Sequence, residues 1–86
     1  MIKLFRHEMP MGKNPGEVIF WLRRKRCLTQ SYLAQTIGMT SQKLSRIERG
    51  LCEMTSSEVV KFAKYFEVPS DYILLNIEEK HYGNQF

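Results

Sequence analysis

Gln42 and Arg46 lie four residues apart, and their side chains suit the recognition of paired bases. A glutamine amide donates and accepts at once, which matches adenine. A guanidinium offers two donors to guanine O6 and N7, and each good bidentate contact discriminates by about 1–3 kcal/mol. Lys43 and Arg49 are cations on the same short segment, suited to phosphate, where they would add affinity without sequence information. Helical spacing sends Gln42, Ser45, Arg46 and Arg49 one way and Leu44 and Ile47 the other, so a polar, basic face stands over an apolar wedge.

The elements that must position this face are legible on either side. Thr29 is a good N-cap, Leu33, Ala34 and Ile37 form one helical stripe, and Gly38 ends it. Thr40 caps a second short helix running to about Arg49, and Gly50 ends that one. Met39 reads as a core plug between them. Two short helices around a glycine turn, the second presenting polar and basic groups outward, predict a helix-turn-helix that fits the DNA major groove.

Three more helices complete the expected bundle. Asn14, Pro15 and Glu17 mark the start of one that runs to about Arg26, with Ile19, Leu22 and Arg26 as its inner stripe. Thr55 and Glu58 make a capping box for another, which reaches about Phe66 and buries Val59, Phe62, Ala63 and Phe66. Val68-Pro69-Ser70 breaks the chain, and a last helix starts near Ser70 or Asp71. The fold class is thus all-α with five helices. A domain over residues 14–76 follows an arm at 1–13, in which Ile2 to Phe5 could pair as a strand, and precedes a tail at 77–86.

Charge distribution supports a nucleic-acid partner. The 86 residues carry a net charge of +4. Residues 23–49 hold seven Lys and Arg against Glu48 alone, a balance of +6, whereas residues 50–86 balance at −3. The basic stretch coincides with the groove-shaped motif. The longest apolar run, Val18 to Leu22, is too short for a membrane span, and no signal peptide is evident, so a cytoplasmic protein is expected. Cys27 and Cys52 lack zinc-ligand spacing and read as reduced thiols. No acid, base and nucleophile converge; His7 and His81 sit near the ends. No enzyme activity and no cofactor are expected.

The chain from about Gly16 to Leu75 resembles the Cro and phage-repressor type of helix-turn-helix, the xenobiotic-response-element regulators. The resemblance rests on Leu28-Thr29-Gln30, Leu33-Ala34, Gly38 and Ile47-Glu48-Arg49-Gly50 at their mutual spacing. It implies a five-helix bundle that binds an operator as a dimer. By the same resemblance Ser41, Gln42 and Arg46 are base-reading positions. Gln30, Thr40, Lys43 and Arg49 are DNA-backbone positions, and Arg23 and Glu48 form an internal salt bridge. Two departures stand out. Glu67 replaces a common glycine, and Val18, Phe20 and Trp21 replace residues that are usually polar.

Two apolar surfaces remain. Val18 to Leu22 is apolar around the first helix, so the arm, through Ile2, Leu4 and Phe5, or a protein partner is expected to cover it. Tyr72, Ile73, Leu74 and Leu75 exceed what one small bundle buries and are the expected homodimer surface, with Tyr82 and Phe86 joining. The leading expectation is a dimeric transcriptional repressor or autoregulator on a palindromic operator in double-stranded DNA. The alternative is an antitoxin or protein-interaction module that uses the same fold to bind a protein partner.

Overall fold

Helix starts in this chain are set by single side chains that take over the role of a missing turn. In the computed structural model, which describes residues 13–75, Asn14 accepts from the Glu17 N–H and opens α1, Pro15–Lys25. Thr29 accepts from the Tyr32 N–H and opens α2, Gln30–Ile37. Thr40 does the same with the Lys43 N–H for α3, Ser41–Glu48. Thr55 and Glu58 form the reciprocal capping box of α4, Ser56–Phe66. The short α5, Ser70–Ile73, begins after Pro69 without a side-chain cap. Each side-chain cap satisfies an amide that would otherwise lack a partner and contributes about 1 kcal/mol. Among the described residues there is no strand, and the five-helix expectation holds.

Glu17 sits three residues after Asn14, where a capping-box acid belongs, but its bond differs. Glu17 does not reach back to Asn14; its carboxylate accepts from the Lys13 N–H at 2.6 Å, one residue earlier.

Helix ends share one device. Two or three residues past the end of each of α1 to α4, an N–H donates to the carbonyl five residues back: Leu28 to Arg23, Met39 to Ala34, Leu51 to Arg46 and Val68 to Ala63. Each closure needs a left-handed residue just before that donor. Gly38 (φ 96°) and Gly50 (φ 80°) supply it without strain, while Cys27 (φ 58°) and Glu67 (φ 61°) adopt it despite their side chains.

The core is built from one face of every helix. Ile19, Leu33, Leu44, Phe62 and Ile73 are fully enclosed, and Val18 and Ile47 are nearly so. Phe62 and Phe66 stack at 6.5 Å one turn apart on α4. The tightest approach is α1 against α3: a Cβ added to Gly16 would sit 1.8 Å from the Ile47 carbonyl oxygen. No other residue permits that contact, and it fixes where the outward face of α3 points.

Two expectations for α1 change. Val18 belongs to the core, not to a separate apolar surface, and Arg26 lies outside it. Arg26 turns to the end of α4, donating to the Tyr65 and Phe66 carbonyls at 3.3 and 3.2 Å, with its guanidinium over both rings. Cations there complement the carbonyl end of a helix. The inner stripe is instead Gly16, Val18, Ile19, Leu22 and Arg23. The expected strand at Ile2 to Phe5, the cover by Ile2, Leu4 and Phe5, the histidines His7 and His81, and Tyr82 and Phe86 of the tail lie outside the described residues.

Candidate nucleic-acid interface

The outward face of α3 is set by its own wedge. Leu44 and Ile47 are buried at 0% and 1%, which leaves Ser41, Gln42 and Arg46 exposed on the opposite side. Thr40, the N-cap, and Arg49, just past the end, are exposed at the two ends of the same face. The Arg49 Nε–H leans on the Ser45 carbonyl at 3.4 Å, so its guanidinium stays over the helix end. The polar residues expected to read bases therefore share one accessible surface with two of the groups expected at the DNA backbone.

Behind that surface lies a buried ion pair. The Arg23 Nε–H and Nη2–H donate to the two Glu48 carboxylate oxygens at 2.7 and 3.0 Å. Its Nη1–H donates to the Leu28 carbonyl at 2.8 Å. The side chains are 10% and 3% exposed. This pair joins α1 to the end of α3, and removing one partner of such a pair costs about 3–5 kcal/mol because the other charge is left buried alone. The salt bridge implied by the resemblance is present, and Arg23 is structural.

Gln30 enters the same network. Its Nε2–H donates to Glu48 Oε1 at 2.9 Å, and the side chain is half-buried at the start of α2. A primary amide has two donors, so one N–H and the carbonyl remain. The residue is a strut of the network as well as a candidate backbone contact. Among the described residues, no buried side-chain polar atom lacks a partner.

Lys43 makes a contact between helices that the sequence pattern does not show. Its ammonium donates to Glu58 Oε2 at 2.6 Å, with side-chain exposures of 38% and 14%. The hydrogen bond it donates to Glu58 raises the Lys43 ammonium above its ordinary value, against a smaller desolvation effect. Burial alone would push the Glu58 carboxyl up. The hydrogen bond from Lys43 and the Thr55 backbone N–H outweigh it and hold the group below the usual carboxylate range. Lys43 thus ties α3 to α4, and its ammonium keeps two further donors beyond the bond to Glu58. Its partner lies fifteen residues away, so helical spacing gives no signal of it, and in the sequence the capping box alone accounts for Glu58.

The basic run Arg23 to Arg26 divides in the same way. Arg23 and Arg26 serve the bundle, whereas Arg24 is exposed with its guanidinium 5.4 Å from the Phe20 ring centre. Charge counting along the chain located the basic surface but not which cations are already committed.

The four residues expected at a dimer surface also divide. Tyr72 and Ile73 are buried in this chain at 5% and 0%, leaving almost no area for a partner. Leu74 is 39% exposed and Leu75 is half-buried against the core. α5 is only four residues long, and packing against α4 takes its first apolar pair.

Comparison with known proteins places this geometry. The solved structure of the P22 c2 repressor, a complex with synthetic operator 9T in the presence of Tl+, superposes with a TM-score of 0.70 at 25% identity. The match covers 76% of this chain and 98% of that one. No curated protein matches. The Helix-turn-helix family profile matches residues 19–73, from the core of α1 to the end of α5. With the paired short helices, the left-handed Gly38 between them and an outward polar α3 already in place, the chain belongs to the phage-repressor type of helix-turn-helix family.

Proposed function

We propose that this protein is a transcription regulator that sets α3 into the major groove of double-stranded DNA and reads an operator through Ser41, Gln42 and Arg46. One observation carries the reading: those side chains are exposed together on α3 while Leu44 and Ile47 anchor its other side. The similar P22 c2 repressor is bound to an operator in its crystal, which supports the same use of the fold here. Gln42 pairs with adenine and Arg46 with guanine. Thr40, Arg49 and the remaining donor of Gln30 meet the sugar–phosphate backbone, where the amides at the start of α2 also favour an anion. Lys43 belongs with these backbone contacts through its remaining donors, and its bond to Glu58 also holds α3 in place. The protein acts by binding, with no catalytic step and no cofactor, in the cytoplasm.

The reading extends to a two-fold dimer on a palindromic operator. Leu74, with Leu75 beside it, borders a hollow whose walls include Pro15, Met54 and Val59, and this is the apolar surface offered to a second copy. A two-fold arrangement sets two recognition helices about 34–36 Å apart, one turn of DNA.

Selection from random duplex DNA tests the function. It is expected to enrich an inverted repeat, and Arg46→Ala is expected to lose about 1–3 kcal/mol of preference for the enriched duplex while retaining weak non-specific binding. Equal loss on enriched and scrambled duplexes at matched salt contradicts the base-reading role. A stoichiometric protein that co-purifies, together with no DNA affinity at low salt, favours the antitoxin or interaction-module alternative.

A further inference from the structure

The side of α1 next to the recognition helix carries an aromatic edge that the readout above does not use. Phe20 and Trp21 meet edge to face at 5.7 Å. They form one wall of a groove whose other wall is Gln30, Ser45 and Arg49. That wall is the start of α2 and the flank of α3, so the groove is continuous with the proposed DNA surface. Trp21 remains 41% exposed despite its size. The carboxylates that border the groove are already engaged: Glu17 accepts from the Lys13 N–H, and Glu48 carries Arg23 and Gln30. The cation next to this edge is Arg24, held over Phe20 and therefore partly ordered in advance.

We propose that Phe20, Trp21 and Arg24 form a further contact to duplex DNA, seated on the deoxyribose–phosphate wall beside the groove that α3 enters. The inference rests on the reading of α3 as the recognition helix. A helix in the major groove brings its neighbouring elements against the sugar–phosphate walls. A flat indole with one N–H donor suits such a wall, since its ring covers the sugar and its edge meets a phosphate oxygen. Arg24 supplies a charge-assisted bond to a neighbouring phosphate. The contact strengthens binding to every duplex and carries no sequence information.

Trp21 is the only tryptophan in the chain, so intrinsic emission reports this place alone. The experiment titrates the full chain with a dye-labelled enriched duplex and with a scrambled one at low salt, following dye anisotropy and tryptophan emission together. The proposal expects the emission change to saturate in step with anisotropy on both duplexes. It also expects acrylamide to quench Trp21 in the free protein and less in the complex. Trp21→Ala is expected to weaken both duplexes by the same factor, about tenfold, at unchanged salt dependence. Arg24→Gln is expected to lower the slope of log K against log salt by about one unit. Saturating anisotropy with unmoved emission and quenching overturns this contact and leaves the α3 reading standing. Shielding of Trp21 in the free protein also overturns it, because another segment or partner then fills the groove. No anisotropy change on any duplex removes the α3 reading and this contact with it.

Discussion

At the scale of single residues, identity and commitment separate. The outward placement of Gln42 and Arg46 was legible because helical spacing alone sets them opposite Leu44 and Ile47, and the structure leaves both exposed. Lys43 was not legible in the same way. Its ion pair with Glu58 joins two helices, and only their packing brings the charges to 2.6 Å. The pair also dictates a pH response. Glu58 titrates below its unfolded value, so its contribution is present at neutral pH and is lost as pH falls through the folded value. Lys43 titrates above its unfolded value, so its share is complete below that value and is lost as pH rises through the folded one. Urea unfolding across pH is therefore expected to show a stability plateau with losses below the carboxylate range and above the ordinary lysine range. Glu58→Gln, which keeps an acceptor for the Thr55 N–H, is expected to flatten the Lys43- and Glu58-linked part of both losses. A pH profile identical to that of the unaltered chain contradicts the clamp.

At the scale of elements, the starts of the helices were easier to read than their surroundings. Asn14, Thr29, Thr40 and Thr55 each cap an amide three residues ahead, so a local pattern suffices, and α2 runs from Gln30 to Ile37 as its spacing predicts. The burial of Val18 and the turn of Arg26 toward α4 were hidden, because both depend on how closely α1 meets its neighbours. Glu67 shows what the left-handed closure of α4 costs. It accepts φ 61° where a glycine would be at ease. Glu67→Gly is expected to stabilise the bundle by about 0.5–1 kcal/mol after allowing for the greater freedom of an unfolded glycine. That amounts to a rise of a few degrees in Tm for a domain of this size. Thermal unfolding checks it, and a lower Tm would show that the Glu67 side chain contributes more than its backbone loses.

At the scale of the molecule, five helices deliver one narrow surface. The Arg23–Glu48 pair, Gln30 and the Gly16–Ile47 approach hold α1, α2 and α3 as a unit, and α4 supports α3 through Glu58. The surface proposed for a second copy was the least legible part of the sequence. Four apolar residues at 72–75 look alike in a linear pattern, yet a four-residue helix buries two of them in its own chain and leaves Leu74 outward. If the proposed dimer uses that surface, Leu74→Glu is expected to shift sedimentation from dimer to monomer at micromolar protein without loss of helical circular dichroism. Unchanged sedimentation of a dimer would place the interface elsewhere.

The orientation of α3 is the point from which readout, backbone contact and dimer spacing all follow. Amide chemical shifts of the isotope-labelled protein, followed by NMR as an enriched duplex is added, test it most directly. The account predicts that the largest changes fall on residues 40–46, with smaller ones at Gln30 and Arg49, while the outer face of α4 around Val60 and Lys61 stays still. Changes concentrated on α4, with Ser41, Gln42 and Arg46 unmoved, would contradict it.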